Sequence, residues 1–198
     1  MHEAGWRVLT GPHILSRNAW REPVWHDGSP APYCIDNGAW SSFQAGTPFN
    51  GEIFIRAVDM LADGADFIVV PDIVEGGIDS LRFSETWLPR LQGYGTLLLL
   101  AVQDGMAIDD VRPMLGKDIG IFLGGSTDWK LNTMRDWGRV AQEAGCYFHV
   151  GRVNTMKRIH LCGLAGAHSF DGTSVTKFPS TINLLNNARK QLSLWSGT

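Results

Sequence analysis

Short apolar segments alternate with amphipathic segments along most of the chain, after an irregular start that is rich in Gly, Pro and Trp. The apolar segments have the length of β-strands, and they lie at residues 6–10, 33–35, 67–70, 96–102, 119–123, 147–150 and 167–170. Most are continuous apolar runs, as expected for strands that are buried on both faces. Strands that alternate with helices are typical of a parallel sheet in an α/β protein.

The intervening segments have the spacing of helices. Apolar residues recur every three or four positions, and the pattern predicts helices over 51–63, 80–91, 109–115 and 133–144, with two more that begin near Thr155 and Pro179. Thr155 is a suitable N-cap for its helix. Gly145 directly follows the helix that ends at residue 144, where a C-terminal cap is expected.

Polar side chains follow several consecutive strands, and this favours a barrel over an open sheet. Asp36, Asp72, Asp104 and Asp171 each come directly after an apolar run. In a (β/α)8 barrel every such loop opens onto one rim, whereas a doubly wound sheet binds ligands at a single switch point. Four carboxylates at one rim would suit acid–base or covalent chemistry on a small polar ring, although Asp before Gly is also typical of turns.

The length of the chain limits the size of this barrel. A complete barrel usually has about 250 residues, and this chain has 198, of which 44% are hydrophobic. We therefore predict one domain, residues 1–198, with a compact or incomplete (β/α)8 TIM-like barrel of parallel strands. An eighth strand is either supplied by the region around Val24 and Trp25 or missing.

Charge and cysteine content narrow the functional class. The formal net charge is −3, so the chain lacks the basic excess of typical nucleic-acid-binding proteins. Contact with nucleic acid would therefore need a local patch of basic residues. The alternative interpretation is that the same basic residues only form a solvated face on two late helices. They are Arg152, Lys157, Arg158, Lys177, Arg189 and Lys190. The three cysteines are widely spaced, which favours a reducing compartment. The sequence also shows no signal peptide and no apolar run of membrane length. We therefore predict a soluble cytoplasmic protein without a membrane partner.

Read in order, the strand ends resemble motifs of the tRNA-guanine transglycosylase superfamily. The family motifs are Asp-Ser-Gly-Gly-Phe, Ala-Phe-Asp, Val-Gln-Gly-Gly, Ile-Gly-Gly-Leu, Leu-Met-Gly and Met-Phe-Asp-Cys. The similar segments here are Asp36 to Trp40, Val70 to Asp72, Val102 to Gly105, Phe122 to Ser126, Phe148 to Gly151 and Ser169 to Asp171. Each motif is weak alone, but six in the family's order are much more specific.

The detailed sequences of these motifs are more similar to the phage-type branch of the superfamily, whose members insert 7-deazaguanines into DNA. The tRNA enzymes carry a zinc site of three cysteines and a histidine after the nucleophile strand. Here no cysteine follows Cys162 and no histidine follows His168. The resemblance therefore implies a barrel without a zinc subdomain, and neither a metal nor a cofactor. It favours DNA over tRNA as the substrate. If the gene is phage-borne, the protein would act in the host cytoplasm.

The resemblance also implies a role for particular residues. Asp171 matches the family nucleophile, and Asp36 matches its general acid–base. Asp72 would accept hydrogen bonds from the N1–H and the 2-amino group of a guanine-like base. The opposite edge and the ring face would be contacted by Gln103, Gly124, Gly125, Val150 and Gly151. Arg152, Asn154 and Lys177 would contact the sugar-phosphate backbone.

One departure from the family bears on the choice of base. Bacterial members carry a Glu that helps to recognise an aminomethyl substituent, and Lys130 stands at that position here. A cation there disfavours an ammonium group and favours a neutral base such as 7-cyano-7-deazaguanine. Asp128 could take the role instead, if the loop is shifted. His149 is interpreted as a satisfied rim histidine or a phosphate or sugar contact.

Alternative functions remain at this point. Within the superfamily, the chain could exchange bases in tRNA or remove a base by hydrolysis. From another class, it could be a non-catalytic subunit that binds a nucleobase or nucleic acid, although such a subunit needs no nucleophile. An unrelated barrel lyase or isomerase would usually bring a lysine or a metal cluster to the strand ends. The oligomeric state is left open.

Overall fold

Seven parallel strands form one curled sheet whose spatial order follows the order of the chain. A computed structural model describes residues 6–173, together with the isolated positions 183 and 187. The strands are β1 (Val8–Thr10), β2 (Tyr33–Ile35), β3 (Ala65–Val69), β4 (Leu98–Val102), β5 (Ile119–Leu123), β6 (Phe148–Val150) and β7 (Ser169–Phe170). Each strand pairs in parallel with the next. All seven carboxyl ends therefore lie at one rim.

Helices follow the strands in alternation, as in an incomplete (β/α)8 barrel, and the predicted fold class is confirmed. The helices are α1 (Pro12–Arg17), α2 (Ala39–Gln44), α3 (Gly51–Leu61), α4 (Ile78–Leu91), α5 (Ile108–Val111), α6 (Thr127–Ala144) and α7 (Met156–Leu164). Short 3₁₀ turns continue α4 over Gln92–Tyr94 and α5 over Arg112–Met114. The helix predicted near Pro179 lies outside the described residues.

No eighth strand is present within residues 6–173. Val24 instead forms an isolated antiparallel bridge with Pro30, so this region does not complete the parallel sheet. The strands β1 and β7 are the two edges. Trp6, just before β1, packs edge to face against Phe170 of β7 at 6.4 Å between ring centroids, so aromatic side chains meet across the gap between the edges.

Alternation along the strands produces two apolar layers. One face of the sheet packs against the helices in the main core, which includes Ile68, Leu98 and Ile121. The other face carries a smaller cluster of Cys34, Phe67, Val69, Leu99 and Ala101. Because successive side chains point to opposite faces, this second cluster fills the concave side of the curled sheet. Polar groups therefore lie beyond this apolar cluster, at the rim formed by the carboxyl ends of the strands.

The structure corrects one helix boundary and adds two helices. The helix predicted to begin at residue 133 begins at Thr127, because the Ser126 side chain accepts a hydrogen bond from the Trp129 backbone and caps it. Polar residues in its first two turns conceal the helical pattern in the sequence. The six-residue helices α1 and α2 directly follow strand ends and are too short to show a period.

The contact between α6 and α7 offers a test of the packing. Gly138 of α6 faces the backbone of Ala165, and a methyl group at Gly138 would overlap the Ala165 carbonyl oxygen. We expect Gly138→Ala to lower the free energy of unfolding in urea by about 1–3 kcal/mol or more, since the two helices must separate. Gly93→Ala is the control, because its methyl group would meet nothing within 4 Å. Equal losses in the two variants would contradict this packing.

Candidate active site

Asp36 lies at the first residue after β2, where the chain turns into α2. Gly38 makes this turn with φ of 82°, a conformation that favours glycine. The backbone N–H groups of Asn37 and Gly38 donate to the Asp36 carboxyl group, and this lowers its pKa. Burial, together with repulsion from Asp171 and Asp72, outweighs these donors and raises the pKa of Asp36 to about 7. The carboxyl group therefore exchanges a proton near neutral pH.

Asp72 follows β3 and is joined to the Asp36 loop by Asn37. The Asn37 amide donates to Asp72 Oδ1 and to the Val70 carbonyl oxygen, each at 2.8 Å, and its own oxygen accepts the Ala39 N–H at 2.7 Å. Burial raises the pKa of Asp72 to about 6, against the lowering effect of the Asn37 hydrogen bond. Nothing in the sequence pattern indicated this bridging role of Asn37.

Asp171 follows β7, and both of its carboxylate oxygens accept hydrogen bonds. Oδ2 lies 3.1 Å from His149 Nε2, and Oδ1 lies 2.9 Å from the Arg152 backbone nitrogen. Burial alone would raise the pKa of Asp171. The hydrogen bond and charge of His149, the Arg152 N–H and the Lys130 ammonium outweigh it and hold the pKa below its usual range. Asp171 is therefore ionised at neutral pH.

His149 belongs to this site more closely than the sequence indicated. Its ring is 3% exposed and lies on the concave face of the sheet, stacked on Phe122 at 4.7 Å between centroids. Its second nitrogen, Nδ1, lies 2.6 Å from Ser169 Oγ. Alternation along β7 places Ser169 and Asp171 on one face, but their pairing with His149 depends on the register between β6 and β7.

Hydrogen bonds connect the rim loops that follow β3, β4 and β5. Gln103, after β4, donates to the Ile73 carbonyl oxygen at 2.9 Å and to Ser80 Oγ at 2.8 Å. Asp104 accepts from both the backbone and the hydroxyl of Ser126, each at 2.6 Å. Burial would raise the pKa of Asp104, but the Ser126 hydrogen bonds lower it overall. These contacts fix the loop after β4 to its neighbours on both sides.

Gly125 after β5 and Gly151 after β6 are positions where a side chain would not fit. Gly124 donates its N–H to the Val102 carbonyl oxygen at 2.9 Å. A Cβ atom at Gly125 would lie 2.5 Å from Asp104 Oδ2, and one at Gly151 would lie 2.8 Å from the Phe122 ring and 3.4 Å from Asp171 Oδ2. Backbone atoms therefore line the rim where the resemblance expects contact with a base.

Arg152 completes the connection around the rim. Its backbone has φ of 58°, unusual for a residue other than glycine, and this conformation directs its N–H to Asp171. Its guanidinium group donates to the Gly125 carbonyl oxygen and lies 4.5 Å from the centroid of the Trp40 ring. One residue thus contacts the loops after β2, β5 and β7.

Lys130 and Val150 lie below the rim. The Lys130 side chain is buried and its ammonium donates to the Gly151 carbonyl oxygen. Burial and the nearby Arg152 lower the pKa of Lys130 to about 8. Val150 is fully buried in the layer between the sheet and the helices, on the opposite face of β6 from His149. Contact of either residue with a base stays a prediction.

The residues predicted to contact nucleic acid are only partly described. Arg152 and Asn154 are exposed in the loop after β6, whereas Lys177 lies outside the described residues. In residues 6–173, no group of three or more His, Cys, Asp and Glu side chains is placed to hold a metal ion. Within the same range, no helix is long and apolar enough to cross a membrane.

Comparison with known proteins adds no family to this description. No family model matches the chain, and no curated protein matches it. The chemistry of the site must therefore be inferred from its geometry. Two neighbouring carboxyl groups have pKa values shifted in opposite directions, which is the pattern of an acid–base group beside an ionised nucleophile.

The raised pKa of Asp36 predicts a pH-dependent cost to stability. Because folding disfavours its ionised form, the cost appears as pH rises from about 4 to about 7 and is complete above that range. The free energy of unfolding of Asp36→Asn in urea should therefore exceed that of the wild type by about 2–4 kcal/mol at pH 8 and nearly equal it at pH 4. The exposed residue Asp63 provides the control, Asp63→Asn. A pH-independent difference for Asp36→Asn would contradict the raised pKa.

Proposed function

We propose that this protein is a base-exchange transglycosylase that replaces guanine in DNA with a 7-deazaguanine. The observation that carries the proposal is the pair of carboxyl groups with opposite pKa shifts, Asp171 ionised and Asp36 close to half-protonated at neutral pH. Exchange of a base needs one group that attacks the sugar and another that moves a proton. The strand-end motifs add support, since both residues stand where the transglycosylase superfamily has these roles.

Asp171 acts on the sugar. Its carboxylate attacks C1′ of the nucleotide and forms an ester bond, while the bond from C1′ to N9 breaks and its electron pair leaves with the guanine. Positive charge develops on the sugar in the transition state, and a carboxylate at this position stabilises it. Hydrogen bonds to both oxygens of Asp171 fix the direction from which it attacks.

Asp36 moves the proton. In its acid form it protonates the departing guanine at N9, and the resulting carboxylate then accepts the N9 proton of the incoming deazaguanine. The incoming nitrogen attacks C1′ and displaces Asp171, which restores the starting state of the enzyme. A pKa of about 7 makes Asp36 effective in both directions near neutral pH.

Asp72 recognises the base. With a pKa of about 6 it is mainly ionised at neutral pH, and it presents oxygen acceptors to the N1–H and the 2-amino group. The bond from Asn37 holds its carboxylate in place. We assign contact with the opposite edge of the base to the backbone at Gly124 and Gly125. Both hydrogens of the Gln103 amide nitrogen are donated to Ile73 and Ser80, so only its oxygen could face the base.

Two further features belong to the proposal. Lys130 places a positive charge below the Gly151 loop, which disfavours a base with an ammonium group and favours 7-cyano-7-deazaguanine. The exposed residues Arg152 and Asn154 adjoin Asp171 and are assigned to the sugar-phosphate backbone. We favour DNA over tRNA because the strand-end motifs are closer to those of the phage-type branch, whose members act on DNA.

Incorporation of a labelled base tests the reaction. We expect radiolabelled 7-cyano-7-deazaguanine to enter duplex DNA in the presence of the protein, with an equal release of guanine and no label in tRNA. Asp171→Asn should abolish incorporation, because an amide is a far poorer nucleophile of the same shape. Asp136→Asn, on the outer surface of α6, is the matched control.

The other outcomes of this assay separate the alternatives. Label in tRNA alone would make the protein a tRNA enzyme. Guanine release without label would indicate a hydrolase. Binding of base without either product would indicate a non-catalytic subunit, and full incorporation by Asp171→Asn would assign the nucleophile to another residue.

A second variant tests base recognition. In Asp72→Asn an amide N–H₂ group replaces an acceptor and faces the donors of the base. We expect the dissociation constant of the free deazaguanine to rise by at least about tenfold, in line with the cost of unpaired polar groups in a binding site. Isothermal titration calorimetry measures it directly. Affinity equal to that of the wild type would show that Asp72 does not contact the base.

A further inference from the structure

A chain of partly buried hydrogen bonds leads from Ser169 through His149 to Asp171. Ser169 Oγ lies 2.6 Å from His149 Nδ1, and His149 Nε2 lies 3.1 Å from Asp171 Oδ2. Phe122 stacks on the imidazole with an angle of 22° between the ring planes, and Phe67 lies 5.3 Å away. The ring therefore cannot turn without losing both hydrogen bonds and its packing.

The pairing of two strands produces this chain. His149 of β6 is the direct partner of Ser169 of β7. Asp171 is two residues beyond Ser169, so its side chain lies on the same face. An imidazole on that face reaches the hydroxyl with one nitrogen and the carboxylate with the other.

The nature of the partners determines the direction of these hydrogen bonds. An ionised carboxylate can only accept, so Nε2 carries the hydrogen and donates to Asp171. Nδ1 accepts from the Ser169 hydroxyl in the neutral ring and donates to the Ser169 oxygen in the protonated ring. In either form Ser169 holds the imidazole so that its Nε2–H is directed at Asp171.

We propose that His149, oriented by Ser169, is a positioning residue that keeps Asp171 ionised while the neighbouring Asp36 keeps its proton. This proposal rests on the proposed function for its catalytic meaning. Both carboxyl groups lie at the same rim and repel each other, so ionisation of one favours protonation of the other. The hydrogen bond from His149 favours the ionised form of Asp171, so the proton stays on Asp36.

The other charged and titratable groups around Asp171 do not replace this donor. The Arg152 backbone N–H holds the opposite oxygen, and the Lys130 ammonium is hydrogen-bonded to Gly151. Asp36 acts against ionisation. Cys34 and Cys162 lie within electrostatic range of Asp171, but burial raises the pKa of each thiol to about 12, so both are uncharged.

Carboxyl carbon NMR titration tests the proposal without any need for enzymatic activity. The spectra of Asp171 and Asp36 are followed against pH in the wild type, His149→Leu, His149→Gln and Ser169→Ala. His168→Gln is the matched control, since its ring contacts the Phe148 backbone and Tyr147 and neither carboxyl group.

We expect His149→Leu to raise the titration midpoint of Asp171 by at least one pH unit, a tenfold gain in proton affinity. His149→Gln keeps an N–H donor and should stay closer to the wild type. Ser169→Ala should move Asp171 in the same direction by a smaller amount, and His168→Gln should move neither group. In the base-exchange assay, the acid limb of the pH profile should shift with Asp171.

An unchanged midpoint of Asp171 in either His149→Leu or Ser169→Ala would overturn the proposal. Ser169→Ala removes one hydroxyl group only, so it decides the question where His149→Leu does not fold. Absence of base exchange by the wild type would refute the proposed function and leave the titrations standing. Normal exchange with unmoved titrations would refute only the role of His149 and Ser169.

Discussion

Three carboxyl groups, those of Asp36, Asp72 and Asp171, lie at the same rim of the curled sheet in a partly desolvated space. Negative charges repel each other there, and the surrounding hydrogen-bond donors must offset this repulsion. Each carboxyl group is met by a different arrangement of donors. Asp36 has two backbone N–H groups and the highest pKa, Asp72 has the Asn37 amide, and Asp171 has an imidazole and a backbone N–H. Since the strongest donors act on Asp171, the three groups differ in protonation near neutral pH, which is the state that the proposed proton donor and nucleophile require.

The parallel order of the strands brings these groups together. Residues that are distant in sequence follow neighbouring strands, so their loops meet at one rim. There, Asn37, Gln103, Asp104 and Arg152 connect each loop to the next. Arg152 couples three loops at once, because its backbone and its guanidinium group point to different partners. The rim is therefore fixed by short polar contacts, while the apolar side chains below it fill the concave side of the sheet.

Much of the fold could be predicted from local patterns. All seven strands follow from apolar runs of strand length, and α3 and α4 follow from their helical periods. The missed features have local causes: α1 and α2 have fewer than two turns, and the start of α6 is hidden by polar residues around Ser126. His149 and Asn37 were underestimated because a buried histidine and a turn asparagine look alike whether or not they contact a carboxylate.

The sequence by itself determined the class of fold and which carboxyl groups stand at strand ends, because strand length, apolar content and alternation are local properties. Only the tertiary structure decided how those carboxyl groups differ. The pKa values of Asp36 and Asp171 depend on burial and on donors that arrive from other strands, and the sequence does not give these distances. The partnership of His149 with Ser169 and Asp171 depends in the same way on the register between β6 and β7, which is set by the packing of the whole sheet.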